Sequence, residues 1–138
     1  MIQKTVEDSD TLNAVLSRKP VGVVTSITPW NWLLMIVIWH LAPAIRVGCT
    51  VVIKPANLTP LSTRLMVSIL NQALPEGVLS VITGHVGHQL SLHSGINKVV
   101  FTGSTPVGKT VMKNASETLK RLTLESLRVL FPAACCVK

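Results

Sequence analysis

The sequence predicts a doubly wound α/β fold, in which a mostly parallel five-stranded sheet carries helices on both faces. Short β-branched runs closed by Pro or Gly alternate with longer apolar or amphipathic segments, the pattern of strands joined by helical crossovers. The chain has 138 residues, 48% of them hydrophobic, with mean hydropathy +0.49. That is enough for one domain with a densely buried core, and it argues against disorder.

Residues 1–19 are polar, with Glu7, Asp8 and Asp10 close together and no helical stripe. They read as a lead-in, a loop or an edge strand with its partner elsewhere. Residues 20–125 form the domain proper. Val21–Thr28 is a β-branched strand closed by Pro29. Trp32–Val47 has helical length, is mostly apolar and ends at Gly48 as at a C-cap, so a buried helix is expected. Thr50–Lys54 is the second strand, closed by Pro55. In Leu61–Leu74, Leu61, Leu65, Met66, Ile69 and Leu70 recur at helical spacing, away from Ser62, Arg64 and Ser68, and predict a core-facing stripe. Val78–Thr83 is the third strand, Gly87–His93 a short helix, Asn97–Thr102 the fourth strand, Val107–Ser116 a helix and Leu119–Leu124 the fifth strand. Residues 126–138 lack periodicity; a strand at Leu127–Phe131 is the one element they suggest.

Thirteen basic and 6 acidic residues give a net charge of +7. The basic residues form no run and no aromatic stacking motif accompanies them, so scattered surface charge and a phosphate site explain them better than nucleic acid does. Cys49, Cys135 and Cys136 make an odd count without metal-ligand spacing, which implies a reducing compartment. No export signal is apparent, and a cytoplasmic location is expected. The most apolar stretch, Trp32–Ile45, would reach about 21 Å as a helix, short of a bilayer core of about 30 Å. His85, His88 and His93 have no Cys, Asp or Glu among them, so no metal site is expected. His40, inside the apolar helix, reads as a hydrogen-bonded core histidine.

The segment from Lys98 to Lys113 concentrates the chemistry. An apolar strand ends at Phe101, Gly103-Ser104-Thr105 make a turn with two hydroxyls, and Pro106 suits a helix start. Such a junction aims free backbone N–H groups and the positive end of a helix dipole at one spot, which invites a phosphate. Two readings follow. The spacing Gly103-x-x-x-x-Gly108-Lys109-Thr110 fits the phosphate-cradling loop of nucleoside triphosphatases, with Lys109 on the outer phosphates and Thr110 on magnesium. That loop needs a later strand ending in Asp, and no Asp follows Asp10. The other reading is a turn that holds the pyrophosphate of a dinucleotide.

The flanking segments favour the second. Ile27-Thr-Pro-Trp-Asn31, Leu41-Ala-Pro-Ala44, Gly48, Thr50-Val-Val-Ile-Lys-Pro55, Thr59-Pro-Leu61, Leu74-Pro-Glu-Gly-Val78, Phe101-Thr-Gly-Ser-Thr105 with Val107-Gly108, and Leu119-Lys-Arg-Leu-Thr-Leu-Glu125 resemble, in order, motifs of the aldehyde dehydrogenase superfamily. The match runs from Arg18 to Glu125. The resemblance implies a Rossmann-like domain binding NAD or NADP, an aldehyde substrate and a homo-oligomeric parent. It places Ile27, Thr28, Pro29, Trp30, Ala56 and Asn57 against the cofactor, with Lys54 at the adenosine ribose. Gly84 and Gly87 belong to the same site, as do Phe101, Thr102, Gly103, Ser104 and Val107, with Ser104 on the pyrophosphate. Asn31 would stabilise an oxyanion, a contribution of about 3–4 kcal/mol when well placed, and Glu125 would be the general base that activates water. Read alone, Asn31 is equally a turn or N-cap residue, Lys54 a solvated strand-end lysine, Ser104 a helix cap and Glu125 surface decoration.

Two departures stand out. The family follows its glutamate with Leu-Gly-Gly or a close variant, whereas Glu125 is followed by Ser126, Leu127 and Arg128. The family's nucleophilic cysteine lies well downstream in a Gly-Gln-x-Cys setting, which Cys135 and Cys136 lack. Cys49 reads as packing. The expectation is a truncated or frame-altered chain, inactive alone and prone to self-associate through apolar surface, with a non-catalytic nucleotide-binding or interaction module as the alternative. Asn57 stands where the family often has a carboxylate that disfavours a 2′-phosphate, so NADP becomes admissible and the preference between NAD and NADP stays open.

Overall fold

The computed structural model describes residues 2–9 and 11–126. Seven strands and four helices follow in the order β1 (Ile2–Asp8), β2 (Asn13–Arg18), β3 (Val23–Ile27), α1 (Leu33–Arg46), β4 (Thr50–Lys54), α2 (Pro60–Leu70), β5 (Leu79–Val81), α3 (Gly87–Leu92), β6 (Lys98–Gly103), α4 (Thr105–Ser116) and β7 (Arg121–Ser126). Strands β3 to β7 form one five-stranded sheet in the order β5-β4-β3-β6-β7, and every pairing in it is parallel. This is the doubly wound α/β sheet that the strand–helix alternation predicts.

The two faces of the sheet carry separate clusters. Val24, Val51, Ile53 and Val100 meet Leu33, Val37, Leu41 and Ala44 of α1 and Val67 of α2 on one face. Ile27, Val99 and Phe101 meet Val111 of α4 on the other. Because strand side chains alternate, a strand buried on both faces reads as a continuous apolar run. In β6 that run is Val99, Val100, Phe101 and Thr102, all buried. The helix before β4 stops as its Gly predicts. Gly48 takes φ +86°, its N–H donates to the Ile45 carbonyl at 2.9 Å, and the Cys49 N–H reaches the Ala44 carbonyl at 3.0 Å. That pair of bonds is a Schellman stop, which a residue with a Cβ would strain.

Three expectations are corrected. Residues 1–19 contain two strands that pair antiparallel with each other, Ile2 opposite Arg18, in a separate two-stranded sheet; the partner lies within the segment. Helix α1 is buried on one side only: Leu34, Met35, Ile38 and Trp39 are exposed, since the helix covers a single face of the sheet. On α2 the expected core stripe splits. Thr63 and Val67 are buried, Met66 and Leu70 pack on the core, and Leu61, Leu65 and Ile69 are 75%, 64% and 56% exposed. The suggested strand at Leu127–Phe131, with Cys135 and Cys136, lies outside the described residues. Among those residues no helix is long and apolar enough to cross a membrane.

Candidate functional site

Central strands β3 and β6 are neighbours, but the chain leaves them in opposite directions. From β3 it builds outward through β4 and β5; it then returns to β6 and continues outward to β7. Helices α1 and α4 therefore diverge to opposite faces and leave a crevice at the carboxyl ends of the strands, where open α/β sheets bind ligands. A cavity of about 730 Å³ lies there. The turn after β3 lines it with Ile27, Thr28, Pro29, Trp30 and Asn31, and the segment after β4 with Ala56, Asn57 and Leu58 beside Lys54. The end of β6 and the start of α4 supply Phe101, Thr102, Gly103, Ser104 and Val107.

Ser104 is the N-cap of α4, yet its hydroxyl makes no capping bond. The first turn of this 12-residue helix carries no acidic side chain, and Pro106 brings no N–H. The remaining free amides and the dipole thus face whatever sits at Ser104. Lys54 is half-buried, and burial pushes its ammonium pKa below the usual lysine value. Thr28 is buried in the cavity wall, and its hydroxyl oxygen has no hydrogen-bond partner among the described residues. At the rim, the Asn57 amide lies 3.1 Å from Nε2 of His85.

Asn31 gains its place from backbone strain beside it. The N-cap of α1 is Trp32, in the left-handed region at φ 51°, and it forms no side-chain capping bond. A left-handed residue with a side chain costs roughly 1–2 kcal/mol. Here the bend lets Asn31 line the cavity while Leu33, two residues on, is buried in the core.

The triphosphatase reading finds no matching geometry. Helix α4 begins at Thr105, so Ser104 alone separates it from β6. The Gly108 N–H donates to the Ser104 carbonyl at 2.9 Å, and the Thr110 hydroxyl donates to the Pro106 carbonyl at 3.3 Å. Gly108, Lys109 and Thr110 are thus helical, and no multi-residue loop is free to wrap phosphates. Gly103 and Gly108 serve packing: a Cβ on Gly103 would lie 2.6 Å from Cζ of Phe101, and one on Gly108 would lie 3.4 Å from the same ring.

Of the candidates singled out from sequence, all but Gly84, Gly87 and Glu125 line the large cavity. Gly87 lines an adjoining space with Ile27, Lys54 and Val107. Gly84 forms the turn after β5 at φ +102° and lines neither. Glu125 lies near the end of edge strand β7, tied to the cavity wall by a hydrogen bond from the Thr102 hydroxyl to its Oε2 at 3.1 Å. Sequence reasoning missed Leu58, an 83% exposed apolar residue on the rim. A large apolar side chain in the short turn between Pro55 and Pro60 was the available signal.

Residues 1–126 match the aldehyde dehydrogenase family. The chain is similar to human retinaldehyde dehydrogenase 3, 44% identical over 127 residues, covering 88% of this chain and 25% of that protein. Among solved structures it resembles an aldehyde dehydrogenase from Bartonella henselae, with TM-score 0.83 and 43% identity over 90% of this chain and 27% of that one. It also resembles betaine aldehyde dehydrogenase from Staphylococcus aureus in complex with NAD+, with TM-score 0.77 and 35% identity over 90% and 26% of the two chains. The chain thus spans about a quarter of the length of the proteins it matches.

Proposed function

The chain belongs to the aldehyde dehydrogenase family, and from that premise we propose that its cavity is a nicotinamide dinucleotide site, serving oxidation of an aldehyde to a carboxylic acid. The observation that carries this reading is the crevice between β3 and β6, where an uncapped helix N-terminus with Ser104, the half-buried Lys54 and the unpaired Thr28 hydroxyl line one space. A diphosphate suits the helix end, and the Lys54 ammonium suits ribose hydroxyls at the end of β4. Asn57 brings no negative charge to the rim, so the reading covers NAD and NADP alike. Bound there, the dinucleotide supplies a hydride acceptor.

This chain's own groups do the rest. Asn31 offers a side-chain amide to an oxyanion formed at the cavity. Glu125, reached through Thr102, serves as the base that takes a proton from water. None of Cys49, Cys135 and Cys136 has the setting of the family's nucleophile, so we expect these 138 residues alone not to oxidise aldehydes. The exposed row Leu34, Ile38 and Trp39 on α1, with Leu61 and Leu65 on α2, supports self-association, which a monodisperse monomer at high concentration would contradict. Buried, free Cys49 suits a reducing, cytoplasmic setting.

Calorimetric titration of NAD and NADP tests the site. Loss of a charged hydrogen bond costs about 1.5–3 kcal/mol, so Lys54→Ala should weaken binding about 10- to 150-fold. Lys109→Ala, on the exposed side of α4, should change nothing. Equal affinities for wild type and Lys54→Ala would overturn the placement.

A further inference from the structure

A row of four polar side chains crosses the sheet beneath the cavity on the α1 face. The Ser26 hydroxyl lies 2.8 Å from Nδ1 of His40, and Nε2 of His40 lies 3.0 Å from Oγ1 of Thr102. Oγ1 of Thr102 lies 3.1 Å from Oε2 of Glu125. Ser26 is 0%, Thr102 2% and His40 6% exposed, so water does not compete along the inner part of the row.

The hydrogens along this row have one consistent arrangement. An ionised carboxylate only accepts, so the Thr102 hydrogen points to Glu125. Thr102 must then accept from His40, which places the imidazole hydrogen on Nε2. A neutral imidazole carrying that hydrogen has a bare Nδ1, and the Ser26 hydroxyl donates to it. Three ionisable side chains line one space with His40: Glu125 of β7, Lys98 of β6, and Cys49 just before β4. Burial, with Lys98 assisting and Glu125 opposing, holds the imidazole pKa below its ordinary 6.5 and keeps it neutral.

We propose that His40 is a positioning residue for the Glu125 carboxylate, acting through the Thr102 hydroxyl. By donating to Thr102, His40 turns that hydroxyl outward, so that it always offers its hydrogen to Oε2 of Glu125. Oε1 is left for a water molecule. The role rests on the reading of Glu125 as base, but the hydrogen order that produces it is a property of the chain alone.

Nitrogen-15 NMR of the imidazoles in the dinucleotide-free chain tests it. Wild type and Thr102→Ser should both show His40 in the Nε2–H tautomer, and Thr102→Val should lose that preference. In Glu125→Gln the amide can donate back to Thr102, so the Nδ1–H form should appear. The His40 titration midpoint should also fall, by up to about one pH unit, because a neighbouring anion is gone. Lys98→Met should move the midpoint the opposite way. A histidine that merely fills the core would keep its tautomer through an isosteric change at an exposed strand end, although its midpoint would still register the lost charge. An Nδ1–H tautomer in wild type, or an unchanged tautomer in Glu125→Gln, overturns the proposal. Because no dinucleotide is present, this outcome stands apart from the Lys54→Ala titration.

Discussion

Gly103 joins the packing of the sheet to the shape of the cavity, and Gly103→Ala should disturb both. The added Cβ would lie 2.6 Å from Cζ of Phe101 and 3.2 and 3.3 Å from the two Cε atoms. An ordinary contact needs about 3.5–4.0 Å, so the ring must retreat by roughly 1 Å. Phe101 is 4% exposed and packed with Ile27, Ile96, Val99 and Val111, so the retreat compresses filled space. Overpacking of this kind costs about 1–3 kcal/mol. At about 4 °C per kcal/mol for a domain of this size, the melting temperature should fall by about 4–12 °C. A double-mutant cycle isolates the cause: in a Phe101→Leu background the clash is gone, so Gly103→Ala should cost nearly nothing there, a coupling of about 1–3 kcal/mol. Urea melts of the four proteins give the numbers. If Gly103→Ala is neutral, or costs the same with and without the ring, the steric account is wrong.

Two further outcomes follow from burial and charge. Ile53→Ala empties a fully buried site on the α1 face and should cost about 2–5 kcal/mol, whereas Leu61→Ala, 75% exposed, should stay within about 0.5 kcal/mol by urea denaturation. The pKa of His40 is depressed by folding, so below its ordinary 6.5 the unfolded chain takes up a proton that the folded chain resists. Stability should therefore be full above that pH and decline as pH falls toward the folded value. Urea midpoints between pH 7.5 and pH 5 measure this, and His40→Gln should flatten the decline.

The sheet was legible because its inner strands β3 and β6 are buried on both faces. Val23–Ile27, Thr50–Lys54 and Lys98–Gly103 are each a short β-branched run with a stop beside it, shorter than an ordinary helix and bounded as a strand is. The helices were legible in extent but less so in orientation. On α2 two rows of residues recur at helical spacing, Leu61-Leu65-Ile69 and Thr63-Met66-Val67-Leu70. Hydrophobicity favours the first row, but the structure buries the second, with Thr63 at 0% exposure. Periodicity shows that a face exists; what the face meets is decided by elements remote in the chain.

The same distinction separates the parts of the site. The turns at Thr28–Asn31 and Gly103–Ser104 each join one strand to the helix after it, so their character can be read within a few residues. The row from Ser26 to Glu125 draws on three strands and a helix, with partners 14, 62 and 23 residues apart in sequence. It exists because β6 and β7 pair with Thr102 beside Glu125, and because Ser26 shares that face of the sheet. A register shifted by one residue would bring Leu124 beside Thr102 in place of Glu125 and turn the carboxylate to the α4 face. From sequence, His40 could be recognised as a histidine in need of partners within an apolar helix. Which partners it finds, and that a carboxylate ends the row, depends on strand register, which no local pattern encodes.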